Sequence, residues 1–157
     1  MWLRLRQIAL VARELEPVER DLVDALGLRL AHRDPGVAHF GLENGLFPVG
    51  NEILEVVAPT RDGTAAGRYL ERRGGGGGYM VITQCDDHAP RRERVAALGV
   101  RIVHQFETEH FRNMQLHPRD TGGSFFEIDE QRGPGAHDPD GPWEPAGPDW
   151  KAARCLD

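Results

Sequence analysis

The chain has 157 residues, of which 39% are apolar and 28% charged, and a net charge of −6 at neutral pH. This length suits one domain with a buried core, and the scattered basic residues argue against a nucleic-acid partner. There is no run of 18 apolar residues and no leader pattern, and Cys85 and Cys155 form no metal-spaced pair. We therefore expect a cytosolic protein that does not associate with membranes.

The first half of the sequence predicts one helix among four strands. Alternating or apolar runs predict the strands, and an apolar face that follows Pro17 and stops at Gly27 predicts the helix. Asp34–Gly36 is a predicted turn, and the Gly50–Asn51 pair is typical of a hairpin. The predicted strands cover residues 3–12, 28–32, 37–49 (with an irregular middle) and 52–58.

The second half predicts the same order of elements, with strands at 79–85, 100–106, 110–118 and 123–130 and a helix over 86–99. The residues recur as well as the order. ALGLRL at Ala25 matches ALGVRI at Ala97 with an offset of 72, and Glu55 and Glu127 are also 72 apart. Such a repeat indicates two copies of one βαβββ module.

These modules give the predicted boundaries. A single domain over 1–131 contains module one (1–60), a connector (61–78) and module two (79–131). The glycines at 74–78 follow a short helical segment and precede a strand, the reverse of a phosphate-binding loop, so we interpret them as the joint between the modules.

A tail follows at 132–157, rich in Pro, Gly and Asp but also containing Trp143 and Trp150. Exposed aromatic side chains usually find a surface to bury against. Two interpretations stay open: the tail lies across its own domain, or it covers a neighbouring subunit or the mouth of a cleft.

Three segments carry a resemblance to a known superfamily: LFPVGNEILEVVAPT (46–60), GRYLERRGGGG (67–77) and LHPRDTGGSFFEI (116–128). With the paired modules, they make residues 3–130 similar to the vicinal-oxygen-chelate superfamily of glyoxalases and bleomycin-resistance proteins, and within it to methylmalonyl-CoA epimerases. The resemblance implies an α+β fold in which two tandem βαβββ modules form curved mixed sheets around a cleft. It also implies a homodimer.

The resemblance further implies a divalent metal held by residues on the first and last strands of each module. Those positions are Gln7, Glu55, Met80 and Glu127, so both carboxylates are kept and both usual histidines are absent. The oxygens of Gln7, Glu55 and Glu127 could hold a hard cation, but a Met80 thioether suits only soft metals. We therefore expect no cofactor, or a divalent cation (Mg, Mn, Co or Ni), and no Fe(II) dioxygenase site.

Glu55 and Glu127 are the candidate catalytic residues. A glutamate on a strand usually faces solvent, but these strands are apolar on both faces, so each side chain is expected to enter a partly enclosed space. Two shielded carboxylates would repel each other, and one would keep a proton near neutral pH, which suits general acid–base catalysis.

Seven further side chains are candidates for contact with a ligand. His117 lies either at the cleft rim or in the packing of a turn, and His39, predicted on a strand, either faces the cleft or has an ordinary core or surface role. No Ser or Cys lies in a nucleophile elbow, so a covalent hydrolase is disfavoured. With Gln7, the candidates are His39, Asn44, Tyr79, Met80, Gln115, His117 and Phe125.

Two functions follow from these residues. The first is proton abstraction from a small organic acid or acyl thioester, as in an isomerase or lyase, by Glu55 and Glu127. The alternative is a metal-free protein that binds and sequesters an apolar or aromatic metabolite, with Met80, Tyr79, Phe125 and the tail tryptophans lining the pocket.

Overall fold

The computed structural model describes residues 1–155 and has a mixed α+β architecture. The strands are β1 Leu3–Val11, β2 Leu42–Val49, β3 Glu52–Pro59, β4 Gly77–Cys85, β5 Ile102–Glu107, β6 Phe111–Leu116 and β7 Phe125–Gln131. The helices are α1 Leu15–Leu26, α2 Ala65–Arg73 and α3 Ala89–Ala97, with 3-10 turns at Pro35–Phe40, Glu144–Ala146 and Trp150–Ala153. Hydrogen bonds join the strands in the order β2-β3-β1-β4-β7-β6-β5.

The predicted α+β class is confirmed, but two segments of the first half differ from their prediction. Residues 28–32 form no strand; they contribute only an isolated bridge from His32 to Leu46. The strand predicted over 37–49 begins at Leu42, because Asp34 caps a 3-10 helix by accepting a hydrogen bond from Gly36 N. His39 is therefore exposed on a 3-10 helix rather than placed on a strand.

The chain forms two compact units. Unit 1 comprises Met1–Gln7 and Tyr79–Glu144, and unit 2 comprises Ile8–Gly78 and residues 145–155. The domain and module boundaries inferred from the sequence remain predictions. Within the described residues, no helix is both long enough and apolar enough to span a membrane.

In unit 1, α3 covers one face of the strands. Val95 packs with Cys85, Met114, Leu116 and Ile128 in a buried apolar cluster. Because side chains alternate along a strand, the residues next to these in sequence lie on the opposite face. That opposite face, here called the polar face, consists of Met80 and Gln84 on β4, Asn113 and Gln115 on β6, and Glu127, Asp129 and Gln131 on β7.

In unit 2, α1 packs on β3. Leu15 of the helix lies against Val56 and Ala58, with Val18 and Leu22 completing the contact. The β2–β3 hairpin pairs in continuous antiparallel register from Leu42–Pro59 to Val49–Glu52 around Gly50 and Asn51, as predicted. The apolar face foreseen for α1 thus positions β3, the strand that carries Glu55.

The glycine run ends one helix and starts one strand. Gly74 ends α2 in the left-handed conformation, with φ of 79°, and β4 begins at Gly77. Gly76 is the position that cannot hold a side chain, since a Cβ there would lie 2.6 Å from the carbonyl oxygen of Val11. The order helix, glycines, strand agrees with the prediction.

Gly76→Ala is expected to destabilise unit 2 by about 1–3 kcal/mol, because the clash is with backbone that must move. Urea unfolding followed by circular dichroism measures the loss. Gly75→Ala is the matched control: a Cβ there meets nothing within 4 Å, so stability should be unchanged or slightly higher. Equal losses in the two variants would show that the close approach at Gly76 is unimportant.

Candidate functional site

The polar face of unit 1 has a covered end and a partly exposed end. At the covered end Gln84, Asp129 and Gln131 are at most 4% exposed. At the other end Glu127 and Gln115 are only partly buried. Of the two carboxylates on the polar face, solvent thus reaches Glu127 and not Asp129.

Glu127 is held by a neighbour across the ladder. Gln115 is its antiparallel partner in the register, and Gln115 Nε2 donates to Glu127 Oε1 at 2.9 Å. The same amide nitrogen lies 3.9 Å from the Met80 sulfur. Three of the residues selected from the sequence therefore come together in unit 1.

Two more candidates, Tyr79 and Phe125, also meet in unit 1. Their rings make an edge contact with centroids 5.3 Å apart, and Tyr79 is buried while Phe125 is partly exposed. His117 instead lies in the turn after β6, where its Nδ1 accepts a hydrogen bond from Arg119 N at 3.1 Å. Two roles were considered for His117, and this contact agrees with the packing of a turn.

In unit 2, Asn44 and Glu55 form a buried pair. Asn44 Nδ2 donates to Glu55 Oε1 at 2.6 Å, and Glu55 is only 5% exposed. Asn44 Oδ1 accepts from the backbone N–H of Asp34 at 2.8 Å, which fixes the orientation of the amide. His39 does not join this pair; its ring contacts Phe40.

Gln7 has a partner that the sequence did not suggest. The indole nitrogen of Trp143 donates to Gln7 Oε1 at 2.9 Å, and both residues are almost completely buried. The tail thus reaches the position where the resemblance implies a metal-binding histidine. Trp150 is buried too, so both tail tryptophans pack within their own chain.

Comparison with known proteins agrees with this architecture. Ethylmalonyl-CoA/methylmalonyl-CoA epimerase of Cereibacter sphaeroides is 23% identical over 131 residues, which cover 81% of this chain and 97% of that protein. Methylmalonyl-CoA epimerase from Mycobacterium tuberculosis superposes with a TM-score of 0.71 at 22% identity, covering 82% of this chain and 88% of that one. The chain has the vicinal-oxygen-chelate fold.

A second solved structure supports the same fold. The hypothetical protein BH1468 from Bacillus halodurans superposes with a TM-score of 0.73 at 18% identity, covering 85% of this chain and 97% of that one. No protein-family model matches the sequence. The superfamily resemblance inferred from the sequence is thereby confirmed as a likeness of fold.

Two of the four implied metal positions, Gln7 and Met80, fit a divalent cation poorly. Gln7 Oε1 already accepts a hydrogen bond from an indole, and Met80 offers a thioether, a poor ligand for hard cations. Oε1 of Glu127 and Oε1 of Glu55 each accept a hydrogen bond from a side-chain amide. Among residues 1–155, no group of three or more His, Cys, Asp and Glu side chains could hold a metal ion.

Asp129 is a carboxylate of the polar face that sequence reasoning missed. It is 1% exposed, and its Oδ1 accepts from Asn113 Nδ2 at 2.9 Å. Burial raises the pKa of Asp129 well above its ordinary value, and the nearby charge of Glu127 raises it further. Its position two residues after Glu127 on the same face was the available signal, since alternation places both side chains together.

Asp129→Asn is expected to gain stability relative to the wild type as the pH rises from about 4 to 8. A carboxyl whose pKa is raised in the folded state contributes its full stabilisation below its unfolded pKa, and this contribution is lost as the pH rises through the folded pKa. Asp120→Asn is the control of opposite sign, because Arg101 lowers the pKa of Asp120. Urea unfolding at several pH values measures both, and parallel curves for wild type and Asp129→Asn would contradict the expectation.

Proposed function

We propose that this protein catalyses removal of the α-proton of an acyl-CoA thioester, as an isomerase, with Glu127 of unit 1 as the carboxylate that takes the proton. The observation that carries the proposal is the partly exposed carboxylate of Glu127, which Gln115 holds at 2.9 Å on the polar face. A base needs a fixed position and access to the substrate, and Glu127 has both.

The similarity to two proteins named as methylmalonyl-CoA epimerases supports the substrate class. The hydrogen on the carbon beside a thioester carbonyl is acidic enough for a carboxylate to remove when the developing negative charge is stabilised. Return of a proton to the opposite side of that carbon inverts its configuration. The catalytic role that the sequence suggested for Glu55, which is buried in unit 2 and accepts a hydrogen bond from Asn44, remains a prediction.

A binding protein is the second candidate, and one observation favours it. Phe125 and Met80 supply aromatic and thioether surface on the polar face of unit 1, near the Gln115–Glu127 pair, and the buried Tyr79 packs against Phe125. Such a surface would hold an apolar ligand without any chemical step. The homodimer and the cytosolic location also remain predictions.

Solvent deuterium exchange separates the two candidates. The protein is incubated in D₂O with racemic methylmalonyl-CoA, and loss of the α-proton signal is followed by NMR, with free methylmalonate as the comparison. The proposal predicts fast exchange of the thioester. Exchange of free methylmalonate alone would move the substrate class to small organic acids. Saturable binding without exchange of either compound would favour the binding protein.

A further inference from the structure

Residues 136–143, here called the strap, lie on the polar face of unit 1 and are held mainly through their backbone. Arg6 donates to the carbonyl oxygens of Pro139 (2.7 Å) and Gly141 (2.9 Å). Arg4 donates to the carbonyls of residues 137 and 138, and Gln84 Nε2 donates to the carbonyl of residue 136 at 2.7 Å. Five strap carbonyls are therefore bound by side chains of β1 and β4.

The strap ends on Trp143, which ties it to further strands. Its indole donates to Gln7 on β1, and its ring meets Phe111 of β6 edge-on, with centroids 5.4 Å apart. The guanidinium of Arg6 lies 5.3 Å from the centre of the same ring. Just after the strap, the backbone N–H of Glu144 donates to Gln131 Oε1 on β7 at 2.8 Å.

The anchors are buried, and the strap has a fixed conformation of its own. Arg6, Gln84 and Trp143 are each at most 1% exposed. Successive turns shape the strap. In one of them the backbone N–H of Gly141 donates a hydrogen bond to the carbonyl oxygen of residue 138 at 3.0 Å. A Cβ on Gly141 would lie 2.2 Å from the carbonyl oxygen of Gly135, so the chain is tightly folded there. The strap is thus a packed part of unit 1.

We infer that the strap replaces a metal ion as the element that ties the first and last strands of unit 1 together. Gln7 then serves as a strap anchor rather than a metal ligand, and Trp143 is the residue that positions it. The inference rests on the contacts of β1 and β4 with the strap, on the hydrogen bond from Glu144, directly after the strap, to Gln131 of β7, and on the poor fit of Gln7 and Met80 as metal ligands. It is independent of the proposed reaction.

Thermal unfolding with and without metal provides the first test. The wild-type protein is dialysed against EDTA and then measured with Mg²⁺, Mn²⁺, Co²⁺ or Ni²⁺ added. A metal bound at 100 times its Kd would raise the Tm of a chain of this size by roughly 5–10 °C. The inference predicts no such rise and no loss of Tm with EDTA. A rise that disappears in Gln7→Met would overturn it.

The Trp143 indole signal provides the second test, with a readout that does not depend on activity. In ¹⁵N-labelled protein the indole N–H of Trp143, assigned with Trp143→Phe, is expected to exchange slowly with D₂O. Gln7→Met keeps the side-chain length but removes the acceptor, so exchange should accelerate roughly 5- to 10-fold, the equivalent of one hydrogen bond. Trp150→Phe, at the other buried indole of the tail, should leave the Trp143 rate unchanged. An unchanged rate in Gln7→Met would overturn the anchor role.

Discussion

Replacing Glu127 by glutamine is expected to lower the rate of α-proton exchange by about 100- to 10,000-fold, the usual contribution of a general base. The change keeps the shape of the side chain and an oxygen that can accept from Gln115 Nε2, so the polar face should stay intact. The lost property is the ability to take up a proton. NMR exchange kinetics on the variant and the wild type, at equal substrate saturation, measure the effect.

Glu109→Gln is the matched control for this variant. Its side chain is 87% exposed and lies outside the polar face, so the exchange rate should equal that of the wild type. Unfolding curves for both variants confirm that each remains folded. If Glu127→Gln exchanged the α-proton at the wild-type rate, another group would be the base. Equal losses of exchange rate in both variants would point to a general effect of lost charge.

Trp143→Ala is expected to lower the free energy of unfolding by about 3–5 kcal/mol, the usual cost of removing a large buried aromatic side chain. The indole is 1% exposed, contacts Phe111 and donates to Gln7. Its loss leaves a cavity and an unsatisfied buried acceptor, and both penalties add. Urea unfolding followed by circular dichroism and by fluorescence of the remaining tryptophans measures the change.

Leu98→Ala serves as the control for this loss. Leu98 is 67% exposed at the end of α3, so its truncation should change stability by no more than about 0.5 kcal/mol. A loss of less than about 1 kcal/mol in Trp143→Ala would contradict the packed strap, since an indole on a loose tail contributes little to the folded state.

Much of the fold was predictable, because the signals were local. Period-2 patterns located β3, β4 and β7, and the apolar face of α1 with Gly27 gave the first helix and its end. The strand predictions failed where the local sequence pattern and the available backbone partners disagree. LRLAH at 28–32 alternates like a strand, yet only Ala31 and His32 exchange backbone hydrogen bonds with Leu46.

The site was predictable only where its partners are close along a strand ladder. The likeness to the superfamily singled out Glu127, and strand pairing explains its contact with Gln115. The strap was not predictable: Arg4 and Arg6 alternate with leucines and look like surface charges on an amphipathic strand. Their partners in the strap lie more than 130 residues away along the chain, and nothing in the local pattern indicates them.

The most direct test of the central claim is deuterium incorporation into methylmalonyl-CoA by wild-type protein that has been dialysed against EDTA. Proton transfer by Glu127, in a unit whose strands are tied together by the strap, predicts catalysed exchange at the same rate before and after dialysis. Exchange that vanishes with EDTA and returns with an added divalent metal would contradict the metal-free site. No exchange under either condition would contradict the proposed reaction.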